Sequence, residues 1–335
     1  MRDSILHITN GDVAAALIRE SGLGGDVLPW RDVLHDGPVP GGHRLEALSD
    51  LRAGFLARQT RLALAKIRDG MATRDATLRD AGAFAEIVLW FEHDLYDQLQ
   101  ILQILDTLAA DAAVRGETFL ICIDRFPGVE PFHGLGQLNP DQVAGLWPER
   151  QPVGESAFSL AQTGWRAFTS DTPHALNDLL GAETKALPFL GAAISRLLAE
   201  YPSRRDGLSR TEQTIADMVS EGIAAPDALF REHQAREPAP FLGDWSFWDR
   251  VAGLCGGPAP LLAETTTGIF NHPPRDGREG FDRQRLALTD AGRRVRGGEA
   301  DAVALNGIDR WIGGVHLQTA ANVWRFDPEA GRIVP

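Results

Sequence analysis

The sequence predicts an α/β protein in three parts: a mostly parallel sheet domain over 1–150, a helical connector over 151–203, and an α+β domain over 204–335. Three observations carry this reading. Short β-rich runs alternate with helical periodicity through the first part, which implies a parallel sheet covered on both faces. The apolar run Ile87 to Phe91 opens directly into Glu92, His93 and Asp94, as a buried strand delivering polar residues to a sheet edge would. Beyond Ser209, three helical patterns precede a hairpin pattern and a further helix.

In the first part, Ile5 to Thr9 reads as a strand, and Asn10, Gly11 and Asp12 as a turn before the helical run VAAALIRES. Asp26 to Leu28 supplies a second strand, leading into a loop with Arg31, Asp32, His35 and Asp36 that ends on the turn signal Asp-Gly-Pro. A helical stretch runs from Leu45 to Asp80, with Gly70 expected to interrupt it. The strand Ile87 to Phe91, a helix from Tyr96 to Ala110 and the strand Thr118 to Ile123 complete a Rossmann-like three-layer arrangement. The connector carries helical patterns at Ala157 to Phe168, Pro173 to Leu180 and Leu187 to Glu200.

Composition narrows the function classes. With 33 basic and 46 acidic residues the net charge is −13, which argues against broad electrostatic attraction to nucleic acid or anionic membrane. The two cysteines, Cys122 and Cys255, suggest neither a disulfide framework nor a thiolate metal site, so a cytoplasmic location is expected. No apolar run reaches the roughly 20 residues of a membrane helix. There is no GxxxxGK[ST] loop, GxSxG elbow or HExxH pair, which argues against P-loop NTPases, standard α/β-hydrolases and zinc proteases.

In a parallel sheet the polar strand ends converge on one edge, where ligands of open α/β folds bind. Asn10 and Asp12, Glu92 with His93 and Asp94, and Asp124 are the residues so placed, with the loop of Arg31, Asp32 and His35 beside them. Such a group can bind a divalent cation such as Mg²⁺ through Asp12, Glu92 and Asp94, shift pKa values toward neutrality, or hydrogen-bond a sugar or base. His93, Glu92 and His35 are the candidate catalytic residues. Asn10, Asp12, Arg31, Asp32, Gln98, Asp124 and His133 are the candidate ligand contacts, His133 standing with Gln137 on the Gly-rich loop FHGLGQL. The plainer alternatives are that Asp12 caps the helix after it, that Asp94 and Asp97 cap or line the first turn of the next one, and that Asp124 ends its strand in a turn. The His93-Asp94 pair is similar to that of metal phosphohydrolases, but it follows a strand and lacks the other ligands, so that family is set aside.

HITNGD at 7–12, LPWRDVLHDGPVP at 28–40 and LWFEHDLYDQLQ at 89–100 resemble the N-terminal region of an uncharacterised bacterial family, domain of unknown function 1835. The resemblance covers residues 1 to about 140, groups these segments into one domain, and implies no established activity, substrate or catalytic residue.

In the third part, Ser209 and Glu212 form a capping box. The three helices, the hairpin Leu261–Thr266 and Arg285–Thr289, and the helix Asp290 to Arg296 resemble a winged helix. Its third helix, GDWSFWDRVAGL, bears Asp244 and Asp249, which repel phosphate, and Trp245, Phe247 and Trp248, which point to burial against another surface. Arg275, Arg278, Arg283 and Arg285 lend the wing positive charge that its acidic neighbours dilute, so a winged helix used as a packing module is favoured over one that binds DNA. In the tail, Asn306, Asp309, Arg310, Trp311, Gly313, Gly314 and His316 either complete a neighbouring site or, with Trp324, staple the tail to the core.

The function expected is an enzyme, a hydrolase or transferase, acting on a small polar or phosphorylated metabolite or nucleotide. The alternatives are a ligand-responsive regulator whose 204–335 region binds DNA or a protein partner, and a non-catalytic interaction scaffold. No membrane partner is expected, and oligomeric state is not legible from the sequence.

Overall fold

The structure is a computed structural model that describes residues 4–110, 117–274, 280–319 and 323–335. The chain forms two compact units, Met1–Ile194 with Gly313–Val315, and Ser195–Ile312 with His316–Pro335. The stretch 151–203 is divided between them.

The first unit holds the strands β1 (Ile5–Thr9), β2 (Asp26–Pro29), β3 (Glu86–Glu92), β4 (Thr118–Ile123) and β5 (Gln151–Pro152) in the order β2-β1-β3-β4-β5. The first four run parallel, and the two-residue β5 adds antiparallel to β4. Its helices are α1 (Asp12–Glu20), α2 (Leu45–Thr60), α3 (Leu64–Arg79), α4 (Leu95–Leu108), α5 (Pro140–Gly145), α6 (Glu155–Thr169) and α7 (His174–Leu179), with α8 (Leu190–Leu198) spanning the division between the units.

The unbroken apolar run of β3 reflects burial of both its faces, as in parallel sheets generally. Val88 and Trp90 pack with Ala14 and Ile18 of α1 and Val143 of α5, while Ile87, Leu89 and Phe91, also buried, point the other way by the two-residue alternation of a strand. Helix α4 packs against β3 and α6. Its buried glutamines are all hydrogen-bonded: Gln98 donates to Glu92 O, Gln100 to Asp32 O, and Gln103 accepts from Trp30 Nε1. At Gly164 of α6 a Cβ would lie 2.9 Å from Leu102 of α4, so glycine permits the close helix approach.

Gly70 does not interrupt the 45–80 stretch. It lies inside α3, and the break falls at Arg61, which takes the left-handed conformation (φ 55) after Thr60 has bonded back to Leu56 O. A single exposed glycine lowers helix stability by about 1 kcal/mol without ending the helix.

Trp30 N donates to Thr9 O, so the alternate residues of β2, Val27 and Pro29, turn their backbone groups to the open edge. Arg19 Nη2 occupies Val27 O, and Pro29 offers no N–H.

The second unit contains α9 (Arg210–Ser220), α10 (Pro226–Arg236), α11 (Asp244–Leu254), the antiparallel pair β6 (Leu262–Glu264) and β7 (Leu286–Leu288), α12 (Asp290–Arg296) and α13 (Ala302–Asn306). Two small sheets follow, β8 (Asp309–Ile312) with β9 (Val315–Gln318) and β10 (Arg325–Asp327) with β11 (Arg332–Val334). The expected Ser209–Glu212 capping box is present. Phe247 and Trp248 are not turned toward another surface: they sit in this unit's own core with Ile215, Leu229, Phe281 and Val295. Of the four wing arginines, Arg275 and Arg278 lie outside the described residues. No helix among the described residues is long and apolar enough to cross a membrane.

His7 is fully buried, its Nδ1 accepting from Trp90 Nε1 and its Nε2 lying 3.1 Å from Gly24 O, which fixes a neutral ring with the proton on Nε2. Burial lowers its pKa from the ordinary 6.5. The unfolded chain therefore takes up a proton that the folded chain refuses, and stability falls as pH drops below that value. Urea unfolding at a series of pH values should show this loss, and His7→Gln should flatten it.

Candidate functional site

The C-terminal ends of β1 to β4 lie along one edge of the sheet. From β1 the chain crosses to β2 on one side, whereas β3 and β4 lie on the other. The reversal opens a crevice between the ends of β1 and β3, the position at which open α/β sheets bind ligands.

Helix α4 builds the floor of this crevice. Asp94 is its N-cap, accepting from Asp97 N at 3.0 Å. Asp97, in the first turn, reaches back so that its Oδ2 accepts from Glu92 N at 2.6 Å. Asn10 Nδ2 lies 3.0 and 3.1 Å from the two oxygens of the same carboxylate, and Tyr96 OH donates to Asn10 O at 3.1 Å. Glu92, last residue of β3, turns its side chain to the loop after β4, where Oε1 accepts from Leu135 N at 2.5 Å. Gly134 has φ +152, and a Cβ there would stand 2.6 Å from Glu92 Oε2, so the loop reaches the carboxylate only because residue 134 is glycine.

Glu92, Asp94 and Asp97 are all buried, and one oxygen from each lies within 4.8 Å of the others. Among the described residues no lysine or arginine forms an ion pair with any of them. Burial is the main force on all three and raises their pKa values; it is reinforced at Asp94 by the charge of Glu92, and at Asp97 by the charges of Glu92 and Asp94. Glu92 is pushed up to about 7, with hydrogen bonds from Leu135 N and Asn10 opposing the rise. The group therefore holds protons near neutral pH, or a cation. An oxygen-only set suits a hard divalent ion.

A cleft of about 370 Å³ opens in front of Glu92, lined also by Asn10, Asp12, Tyr96, His133 and Gln137. Thus Asn10, Glu92 and His133 of the sequence-derived candidates come together. Asp12 reaches the rim, but its carboxylate pairs with Arg31 at 2.6 Å on the surface. It does not cap α1 either, since the N-cap is Gly11 without a side-chain bond. The metal set Asp12, Glu92 and Asp94 is accordingly not assembled, and Asp97 occupies the place expected of Asp12.

The remaining candidates stand apart from the cleft. Asp32 is buried in a 2.7 Å pair with Arg52, whose guanidinium also donates to Asp36 O and Val33 O and so shapes the 31–38 loop. His35 is buried against the Tyr96 ring, with Nε2 3.8 Å from Asp36 Oδ2. His93 is half-buried and sets its ring edge-on to Phe189. Gln98 is spent on Glu92 O and Cys122 Sγ, and Asp124 pairs with Arg125. In the tail, Asn306 holds Ala259, Arg310 pairs with Glu212, and Trp311 stacks on His316, which bonds Asp309. Gly313 O and Gly314 N bond Val39 N and Phe168 O. None of these lines the cleft.

Tyr96 and Gly134 are not singled out by the sequence reading, and Asp97 stands there only as part of the polar run after β3 and the first turn of the next helix, with no ligand role. The Asp94–Asp97 spacing was the available signal, since it resembles a capping box, although Asp97 bonds Glu92 N rather than the N–H of the N-cap residue Asp94. Comparison with protein-family models and with curated proteins gives no match.

Two outcomes follow. A carboxyl with a raised folded pKa favours the fold below its unfolded value of 4.5 and loses that advantage as pH rises through about 7. Glu92→Gln, whose amide oxygen can still accept from Leu135 N, should therefore gain on the order of 3 kcal/mol relative to wild type between pH 4 and 8 in chemical denaturation. Arg52→Met, which strands the Asp32 carboxylate, should cost roughly 3–5 kcal/mol in the same measurement.

Proposed function

We propose that the first unit is the binding and catalytic domain of a hydrolase or transferase that acts on a small polar metabolite or nucleotide, with Glu92 moving the proton. The observation that carries this reading is the Glu92 carboxyl itself, 6% exposed, without a cationic partner among the described residues, and lining the cleft at the point where the sheet reverses. A carboxyl so placed is suited to general acid–base work near neutral pH. Asn10, Tyr96 and His133 supply hydrogen-bonding contacts, while Asp94 and Asp97 hold Glu92 in position. Among the described residues the lining contains no lysine or arginine, so an uncharged or singly charged ligand suits the cleft better than a polyphosphate.

A second reading is favoured by the convergence of one oxygen each from Glu92, Asp94 and Asp97: these residues hold a divalent cation such as Mg²⁺, which would polarise a substrate oxygen or activate water. Both readings meet at Glu92, the one of the three carboxylates that lines the cleft.

With this goes the finer fold assignment, a Rossmann-like three-layer first unit and a winged-helix-like second unit, and the relation of the N-terminal motifs to domain of unknown function 1835. The alternation of parallel strands with helices, and the order of three helices, hairpin and helix, support the first two. Two free cysteines are consistent with a cytoplasmic protein.

The test is a thermal-shift and calorimetric panel of Mg²⁺, Mn²⁺, nucleosides, nucleotides and sugars on wild type, Glu92→Gln and His93→Ala. Binding to wild type and His93→Ala, with Glu92→Gln folded but silent, is expected, since a native-state ligand stabilises by mass action. A shift from metal alone that Glu92→Gln and Asp97→Asn both abolish selects the cation reading. Equal responses in wild type and Glu92→Gln would overturn both.

A further inference from the structure

We infer that the first unit carries a second ligand site, a cleft between the outer edge of β2 and helix α3 that takes a free α-amino acid in its zwitterionic form. This cleft shares no lining residue with the one in front of Glu92 and does not depend on the reading given for it.

The cleft has a volume of about 680 Å³, within the range of small-molecule sites. Asp26 to Pro29 of β2 form one wall, and Asp69, Gly70, Thr73, Arg74 and Thr77 of α3 form the other. The second group is spaced three and four residues apart, so it occupies one face of the helix. Glycine inside a helix is a cost to its stability, and here Gly70 leaves room beside Arg74: a Cβ at this position would meet nothing within 4 Å.

Arg74 is the feature that calls for a ligand. Its side chain is buried, 4% exposed, with the guanidinium 4.0 Å from the centre of the Trp30 ring. Nε donates to Asp75 Oδ1 and Nη2 to Ser49 Oγ, both at 2.8 Å. Nη1 has no acceptor among the described residues. A buried charged donor left without an acceptor is costly, and in native proteins such a group is met by water or by a ligand. This one belongs to the wall of a space that holds far more than a water molecule.

The surrounding charges decide the class of ligand. Arg19, Arg31, Asp26 and Asp69 line the same cleft, and all four are exposed. Arg19 gives Nη2 to Val27 O, and Arg31 gives Nε and Nη2 to Asp12, so each keeps N–H groups in hand. Asp26 and Asp69 form no ion pair among the described residues, although arginines share the cleft with them. The opposite charges are therefore held apart. With the partners Asp12 and Asp75 included, three arginines stand against four carboxylates, so a simple anion or cation gains little net attraction. A molecule bearing both charges can bridge the two sets, its carboxylate taking arginine N–H groups and its ammonium an aspartate. Val27, Leu28 and Pro29 add an apolar wall, which suits a ligand with an apolar side chain.

The experiment is thermal shift and titration calorimetry of the full chain with leucine, valine, methionine and phenylalanine, each beside its N-acetyl and its amide derivative. At least one free amino acid should raise the melting temperature. Its two derivatives, each lacking one of the charges, should bind at least about tenfold more weakly. Gly70→Leu fills the cleft with a residue that suits a helix better than glycine, and it should abolish binding. Arg74→Lys keeps a charge beside Asp75 without the guanidinium fork, and both it and Asp69→Asn should weaken binding by a similar factor. Glu92→Gln should bind as wild type does. Circular dichroism confirms that the variants fold. No stabilisation by any of the amino acids, as when Nη1 holds only water, would overturn the inference. So would equal binding of the blocked derivatives, or undiminished binding by Gly70→Leu.

Discussion

The carboxylate of Asp97 is the joint on which the first unit's functional edge depends. The ladder between β1 and β3 ends with Thr9 opposite Trp90, and beyond it the two chains have no backbone bonds to keep them together. Asp97 takes over there, accepting from Asn10 on one side and from Glu92 N on the other, while its own backbone N–H is held by Asp94. One side chain thus sets the width of the crevice, starts α4 and orients the last residue of β3. Because it does this from full burial, the interaction brings negative charge into the interior, and Glu92 and Asp94 lie within reach of that charge.

Three buried carboxylates without a basic partner among the described residues are an arrangement that stability alone does not favour. Burial disfavours the charged form of each, and that cost is met by no ion pair among the described residues. Their raised proton affinities express the same cost as a preference for the neutral state. What offsets it locally is hydrogen bonding from Leu135 N, Asn10 and the first turn of α4, and the tight seat at Gly134, which brings a donor to Glu92. Perturbed groups of this kind cluster where proteins bind or transform ligands, and the cleft in front of Glu92 gives this one an outlet.

Much of the fold was legible because it rests on local patterns. The runs of β1, β3 and β4, the caps at Asp94 and Ser209 and the start of α12 at Asp290 each follow from periodicity or capping chemistry within a few residues. The errors lie where the deciding partner is distant in sequence. Asp12 looked like a cap or a ligand until Arg31, nineteen residues on, claimed it. Asp32 and Glu92 look alike on paper, yet Arg52 neutralises the first and nothing comparable approaches the second. Phe247 and Trp248 suggested a docking face because their core partners Phe281 and Val295 come from the hairpin and from the helix after it. Gly70 was given a role that a conformational change at Arg61 performs instead. The site was legible as a region, and its membership required the tertiary pairings.

The outer margins of the sheet carry their own consequence. On β2, Pro29 removes a donor and Arg19 blankets an acceptor, and on the opposite margin β5 is two residues long and ends in Pro152. An incoming strand, whether from a second copy or from a partly folded neighbour on the ribosome, finds no run of free ladder groups with which to register. Crowded synthesis of this chain should therefore be tolerant of its long apolar β3, since that strand is fenced on both flanks by segments that do not propagate pairing.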